Sequence, residues 1–234
     1  SARIEAYAQS NGASDAPELS DYTTLGVMGI GGSNEPTVAM ITSALADSDI
    51  TGALADSRSD VQTIVNGYAA MLAPVHDAGG IQASAAQYQA IGVATLDTAS
   101  EASLLGDLID QKTTADVDST SKVQALADVV QAIMDVAALD DSLSLQAALA
   151  QDPEVLNDLA SQLSALGLNG VTEDNLGAVW SALRDSANDG SAAATLAQLQ
   201  AMIDAANDRP VAADPVAVSM SEDNTFTVQV GQLL

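Results

Sequence analysis

The chain has 234 residues and carries 6 Lys+Arg against 32 Asp+Glu, a net charge of −26. So few basic residues cannot neutralise a row of phosphates, which excludes nucleic acid as a partner, and the same sign disfavours anionic membrane surfaces. Cys is absent, which excludes thiol catalysis, thiolate metal sites and thiol redox chemistry.

Hydrophobic residues make up 47% of the chain, with one Phe and one Trp. The core is therefore aliphatic, and Ala and Leu favour helices that approach closely. No apolar run reaches the ~18–20 residues a membrane span needs, and no secretory n-region and h-region stand at the N-terminus. The acidity reads first as a hydrated, self-repelling surface and second as divalent cation binding. Salt or Ca²⁺ is expected to stabilise such a chain.

In chain order, Ala2-Arg3-Ile4-Glu5-Ala6-Tyr7 reads as the tail of an earlier repeat's last helix, so the chain is expected to be a piece of something longer. A short helix follows over about Pro17 to Leu25. It ends in Leu25-Gly26-Val27-Met28-Gly29-Ile30, where a left-handed Gly stops the helix. A second helix is predicted over about Glu35–Ala46, and a polar loop over Asp47–Ser57. A third helix carries Val61-Gln62-Thr63-Ile64-Val65-Asn66 behind an S-x-x-Q capping box at Ser59.

The same order then recurs. Helix one of the second copy is expected over about Gln82 to Ile91, ending in Ile91-Gly92-Val93-Ala94-Thr95-Leu96. Helix two follows at about Ser100–Gln111, then a loop at Thr113–Ser119 and a second S-x-x-Q box at Ser121. Gln124 lies in Val123-Gln124-Ala125-Leu126-Ala127-Asp128. Extra residues over about Ala138–Gln151 predict one added helix, Leu143–Leu149. In the third copy, Asp152-Pro153-Glu154 reads as a helix start with an Asp cap. Leu166-Gly167-Leu168-Asn169-Gly170-Val171 ends that helix, and Thr172 opens the next, with Leu176, Val179, Trp180 and Leu183 on one stripe. A loop at Ser186–Ser191 precedes Leu199-Gln200-Ala201-Met202-Ile203-Asp204. Ala197 stands where the box Ser would be, so this helix needs another cap or an earlier start near Ser191–Thr195.

A large residue, Tyr22, Tyr88 or Leu163, stands four positions before each Gly. The spacing is 36 residues from Gly26 to Gln62, 32 from Gly92 to Gln124 and 33 from Gly167 to Gln200. Two patterns in fixed order at near-constant separation mark a tandem repeat. The last 26 residues change character: Arg209-Pro210-Val211-Ala212-Ala213-Asp214-Pro215 reads as a stiff linker, and 216–224 and 225–230 alternate with period two, Phe226, Val228 and Val230 sharing a face, and predict strands.

That tail resembles the opening of cadherin-like or VCBS-type β-sandwich repeats, at Pro210-Val211-Ala212-Ala213-Asp214, Glu222-Asp223, Phe226-Thr227-Val228 and Leu233-Leu234. The helical part is similar to the alanine-rich, GA-like helical repeats of giant secreted bacterial adhesins. Tyr22 to Ile30, Thr172 to Asn175 and Gln62 to Asn66 carry that likeness. It covers most of residues 1–208, although the second copy lacks the second Gly and the third has Leu163 for Tyr. The resemblance implies export to the cell surface, often by type I secretion, with Ca²⁺-rigidified sandwich domains elsewhere in the parent.

No catalytic constellation is visible. His76 is the one histidine and has no nucleophile partner, so it reads as a surface or joint residue. Trp180 reads as a core anchor, and Tyr22 and Tyr88, duplicated with the repeat, as packing residues. The acidic clusters at Asp47-Ser48-Asp49, Asp107 to Asp110, Asp116-Val117-Asp118, Asp140-Asp141 and Asn188-Asp189-Gly190 match no EF-hand template. Asp214, Glu222 and Asp223 are the weak metal candidates, in a completed sandwich domain. Gly29-Ile30-Gly31-Gly32 lacks the Lys-Ser/Thr of a phosphate loop.

These readings combine into an all-α fold of tandem three-helix bundles in an elongated array with a short C-terminal β segment. The units are 1–78, 79–138, 139–208 with the extra helix, and a linker with first strands at 209–234. The repeat-defining residues are Tyr22, Gly26, Tyr88, Gly92, Gly167, Gln62, Gln124 and Gln200. The expected role is structural and adhesive at a bacterial surface, with no bound cofactor except Ca²⁺ in the parent. The expected partners are neighbouring domains and a host or matrix protein or glycan. The alternative is a specific protein- or glycan-binding helical module of the same adhesin.

Overall fold

The computed structural model describes residues 2–77, 80–139, 143–187 and 189–208. The described residues are all-α, with no strand among them. The strands predicted after residue 208, and with them Asp214, Glu222 and Asp223, lie outside the described residues.

Eleven helices are described: α1 (Ala2–Gln9), α2 (Leu19–Leu25), α3 (Val38–Leu45), α4 (Arg58–His76), α5 (Ala85–Gln89), α6 (Ala99–Asp110), α7 (Thr120–Ala137), α8 (Leu145–Gln151), α9 (Val155–Ala165), α10 (Glu173–Arg184) and α11 (Leu196–Asn207). Single 3-10 turns at Gly52–Leu54 and Thr114–Asp116 interrupt the first two polar loops. In terms of the sequence copies, the first holds α2, α3 and α4, the second α5, α6 and α7, and the third α9, α10 and α11. The added helix is α8.

Capping fixes the registers. Thr37, Thr98 and Thr172 each cap the second helix of a copy, each side chain accepting a backbone N–H three residues on. The burial pattern then repeats at the same distances from the cap: Ile41, Ala102 and Leu176, then Ala44, Leu105 and Val179. At the next inward position stand Leu45, Gly106 and Trp180.

Third helices start two residues earlier than predicted for the first two copies. Ser57 caps α4 in a reciprocal box with Asp60, and Ser119 is the residue before α7. The predicted boxes at Ser59 and Ser121 do not form, because both residues already lie inside their helices. Thr195 caps α11, so the third copy takes the earlier start. Gln62, Gln124 and Gln200 all fall five residues after these cap positions. The Asp152 cap is also corrected. The first residue of α9 follows Glu154, and Asp152 instead accepts the Glu154 N–H at 3.0 Å in the turn after α8.

Packing crosses the sequence copies, the third helix of one lying against the first two of the next. α4 packs on α5 and α6, and α7 packs on α9 and α10. In the other direction α3 meets α7, and α6 meets α11. A hydrogen bond from the first amide of the third helix marks each of these second contacts, although the acceptors stand at different positions of their helices. The first amide of α7, Thr120 N–H, donates to Ser43 Oγ at 2.9 Å, and the first amide of α11, Leu196 N–H, donates to Asp107 Oδ2 at 3.2 Å. Each occupies one of the orphan donors at a helix start. One continuous aliphatic cluster runs through all three copies, and its largest fully buried side chains are Trp180, Tyr22, Tyr68 and Tyr88.

Candidate functional site

The element that recurs is a Gly-stopped helix end held by a Gln from the third helix of its copy. Gly26, Gly92 and Gly167 have φ of +81°, +90° and +76°, the left-handed geometry glycine adopts without a Cβ penalty. This turns the next amide back on the helix. Val27 N–H donates to Tyr22 O at 3.0 Å, Val93 N–H to Tyr88 O at 3.1 Å, and Leu168 N–H to Leu163 O at 3.2 Å. The large residue four positions before each Gly thus supplies the carbonyl that closes the turn. Its side chain is fully buried in every copy.

Gln62 Oε1 accepts the Met28 N–H at 3.0 Å while its Nε2 donates to Met28 O at 3.0 Å. Gln200 does the same to Asn169, at 3.0 Å and 3.0 Å. Each amide is oriented by a carbonyl or carboxylate one turn on: Gln62 Nε2 also donates to Asn66 Oδ1 at 3.0 Å, and Gln200 Nε2 to Asp204 Oδ1 at 2.9 Å. The second copy differs. Gln124 Nε2 donates to Thr95 Oγ1 at 3.0 Å and to Asp128 Oδ1 at 2.6 Å. Thr95 stands where Gly29 and Gly170 have φ of +82° and +81°, so the second Gly accompanies the two-bond clamp. The two sequence patterns are therefore in direct contact.

The other candidates are dispersed. His76 is exposed at the end of α4. Trp180 is fully buried; its Nε1–H has no partner, and Arg184 lies over the ring at 5.2 Å from its centroid. Arg184 also donates to Leu143 O, tying α10 to the start of the added segment.

Several acidic residues serve turns and caps. Asp47 Oδ1 accepts the Asp49 N–H at 3.0 Å, and Asp189 Oδ1 the Ser191 N–H at 3.0 Å. Asp107 takes Gln82 Nε2 at 2.7 Å as well as Leu196 N–H. Asp118 pairs with Lys122 at 2.7 Å. Asp140 and Asp141 lie outside the described residues. No group of three or more His, Asp and Glu among the described residues could hold a metal ion. Nor is any described helix long and apolar enough to cross a membrane.

Titration follows these contacts. Hydrogen bonds from Ser57, Thr113 and Ser191 hold Asp60, Asp116 and Asp189 below the usual carboxylate range. Burial works to raise Glu101, but the Thr98 and Asp97 N–H groups outweigh it and hold the carboxyl low. Burial pushes Tyr22 and Tyr68 up to about 12 and Tyr88 higher still.

One surface cleft of about 520 Å³ lies between α5 and the start of α6. Ala83, Ala86 and Ala102 contribute apolar lining, and Gln82, Gln89 and Asp97 polar lining. Gln82 is already bonded to Asp107, and Gln89 to Leu96 O at 2.8 Å. Sequence reasoning did not find this cleft, because its walls come from unremarkable Ala, Ser and Gln positions.

Comparison with protein-family models, curated proteins and solved structures finds no match for this chain.

Proposed function

We propose that the chain is a structural, non-enzymatic segment of a large exported bacterial surface protein, a tandem array of three-helix units that spaces or presents neighbouring domains. The observation that carries this reading is the recurrence of one design in copies one and three and, weakened, in two: a Gly-stopped helix held by a Gln. The helix bearing that Gln in copies one and two is turned toward the next copy. Contacts that link sequence neighbours build length, and stability becomes a sum over units and their joints. The polar groups engaged by the recurrent contacts are consumed in holding turns, which supports a scaffold over a reaction centre. Placement at a cell surface, adhesion, and Ca²⁺ binding elsewhere in the parent rest on the sequence resemblance.

Small-angle X-ray scattering tests the array. A compact 234-residue globule has a radius of gyration of about 18 Å. The array predicts a clearly larger value and a rod-like scattering region. A value near that of the globule, without the rod region, removes the proposal.

The cleft between α5 and α6 favours a second reading, in which the second copy grips a polar ligand such as a glycan or an extended peptide. A glycan and serum-protein binding screen with a Ser103→Trp control, placed to fill the cleft, separates the two. Specific binding lost in the control favours the receptor reading.

A further inference from the structure

The sequence holds three Asn-Gly pairs, Asn11-Gly12, Asn66-Gly67 and Asn169-Gly170. In such a pair the backbone nitrogen of the Gly can attack the side-chain carbonyl carbon of the Asn, because no Cβ screens the approach. Attack needs that N–H to be free and the Asn side chain to turn. The fold withholds these conditions from two pairs. Gly12 N–H donates to Tyr7 O at 3.0 Å, and a Cβ at Gly12 would meet Ala46 Cβ at 2.9 Å, so this backbone is both engaged and crowded. Asn66 and Gly67 lie inside α4, where the N–H groups belong to the helix ladder, and Asn66 Oδ1 accepts Gln62 Nε2–H at 3.0 Å.

The third pair is open. Asn169 and Gly170 are exposed in the loop between α9 and α10. Among the described residues, Gly170 N–H has no acceptor and the Asn169 side chain has no partner. The loop is held instead through the Asn169 backbone, which the Gln200 amide grips at both N–H and C=O, each at 3.0 Å. Gly170 O adds two more contacts, accepting Asn175 Nδ2–H at 2.7 Å and Asn207 Nδ2–H at 3.2 Å. Hydrogen bonds at a solvent-facing loop open far more readily than a helix interior. At the matching loop position the first copy has Met28 and the second Ala94, neither with an amide carbon to attack.

We propose that Asn169 is a self-modification site, converted through attack by Gly170 into aspartate and isoaspartate, and that the conversion releases the Gln200 clamp. Base removes the Gly170 amide proton, and the nitrogen bonds to Asn169 Cγ. The bond from Cγ to the side-chain nitrogen breaks, and that nitrogen takes a proton from water and leaves as ammonia. Water then opens the cyclic imide. Opening at Cγ leaves Asp on an unchanged backbone. Opening at the main-chain carbonyl routes the chain through Cγ and gives isoaspartate. The isoaspartate backbone is one methylene longer between the N–H and the C=O that Gln200 bridges, so one side-chain amide no longer meets both. Either product adds a carboxylate to a chain already at −26. The third copy thus carries a clamp that ages, whereas the loops at Met28 and Ala94 lack the chemistry.

The test ages the full chain in warm, mildly alkaline buffer, folded and in denaturant, and follows each Asn by peptide mapping with mass spectrometry. In denaturant the three pairs should react at comparable rates. In the folded chain Asn169 should outpace Asn11 and Asn66 by about tenfold or more, with an isoaspartyl peptide resolved at that position. Ageing should also lower the fluorescence transition of Trp180, which lies in α10 of the third copy, by roughly 3 °C. Asn169→Gln leaves the gripped backbone in place and should abolish that drift. Equal rates at the three sites in the folded chain, or a faster Asn11 or Asn66, overturn the inference. So does a modified chain whose Trp180 transition is unmoved, or a drift that persists in Asn169→Gln.

Discussion

Gln62 and Met28 lie 34 residues apart and exchange two hydrogen bonds, the Gln amide meeting both the N–H and the C=O of one residue. The pair behaves as a miniature strand ladder made by a side chain. It ties the loop after α2 to α4, so the first and third helices of the copy move together. Gln200 and Asn169 repeat the arrangement.

Truncating either Gln removes a matched donor and acceptor at an exposed loop where water partly replaces them. Gln62→Ala and Gln200→Ala are each expected to cost about 1–2 kcal/mol, read from denaturant melts. Gln124→Ala, which loses only side-chain partners, is expected to cost about half as much, on the order of 0.5–1 kcal/mol. Equal losses at all three positions would show that the backbone clamp contributes nothing of its own.

Gly67 tests whether the joints are separable. A Leu side chain there cannot avoid Gln87 O or Ile91, so Gly67→Leu should separate α4 from α5, costing on the order of 1–3 kcal/mol or more. Trp180, the one tryptophan, reports on the third copy. The expected outcome is an earlier transition by far-UV circular dichroism with the Trp180 fluorescence transition nearly unmoved. Coincident shifts in both signals would mean that the copies unfold as one unit.

The helices and their order were legible because apolar periodicity and Gly stops are local signals. The corrections at the starts of α4 and α7 have different causes. The Ser59 and Ser121 patterns satisfy the capping template, but Ser57 and the Ser119 position lie one half-turn earlier. At α4 a local box between Ser57 and Asp60 sets the earlier start. At α7 Ser119 makes no side-chain cap bond, and Thr120 instead donates its amide to Ser43 across 77 residues. The clamp itself was legible only as two patterns of near-constant spacing. Nothing local says that an exposed Gln will reach the backbone of residue 28 or 169. The cleft between α5 and α6 left no trace, since small residues define it by what they fail to fill.

The buried tyrosines separate hydrogen bonding from packing. Tyr68 OH is paired with Thr120 Oγ1 at 2.9 Å, whereas the Tyr88 hydroxyl is buried without a partner. Tyr68→Phe is expected to cost about 1 kcal/mol, and Tyr88→Phe to be neutral or stabilising, because it removes an unsatisfied polar group. Both hydroxyls also govern alkaline stability. Their folded pKa values are raised, so the stability they contribute is complete below pH 10 and declines as pH rises through the folded values, about 12 for Tyr68. Tyr88→Phe should therefore shift alkaline unfolding upward without loss at pH 7. A large neutral-pH loss would mean that the hydroxyl has a partner after all.

Glu101 sets the acid side. Its Oε2 accepts the Asp97 and Thr98 N–H groups, each at 2.8 Å, from a site that is 5% exposed. With the folded pKa lowered from 4.5, the stabilisation is present above the unfolded value and is lost as pH falls through the folded one. Glu101→Gln keeps the shape and an acceptor oxygen but removes the charge that strengthens both bonds. The Tm difference between the native chain and this variant should be constant from about pH 6 to 8, narrow as pH falls below the ordinary carboxylate value and close once pH has passed through the lowered folded one. A difference that persists undiminished in acid would assign the effect to packing instead of ionisation.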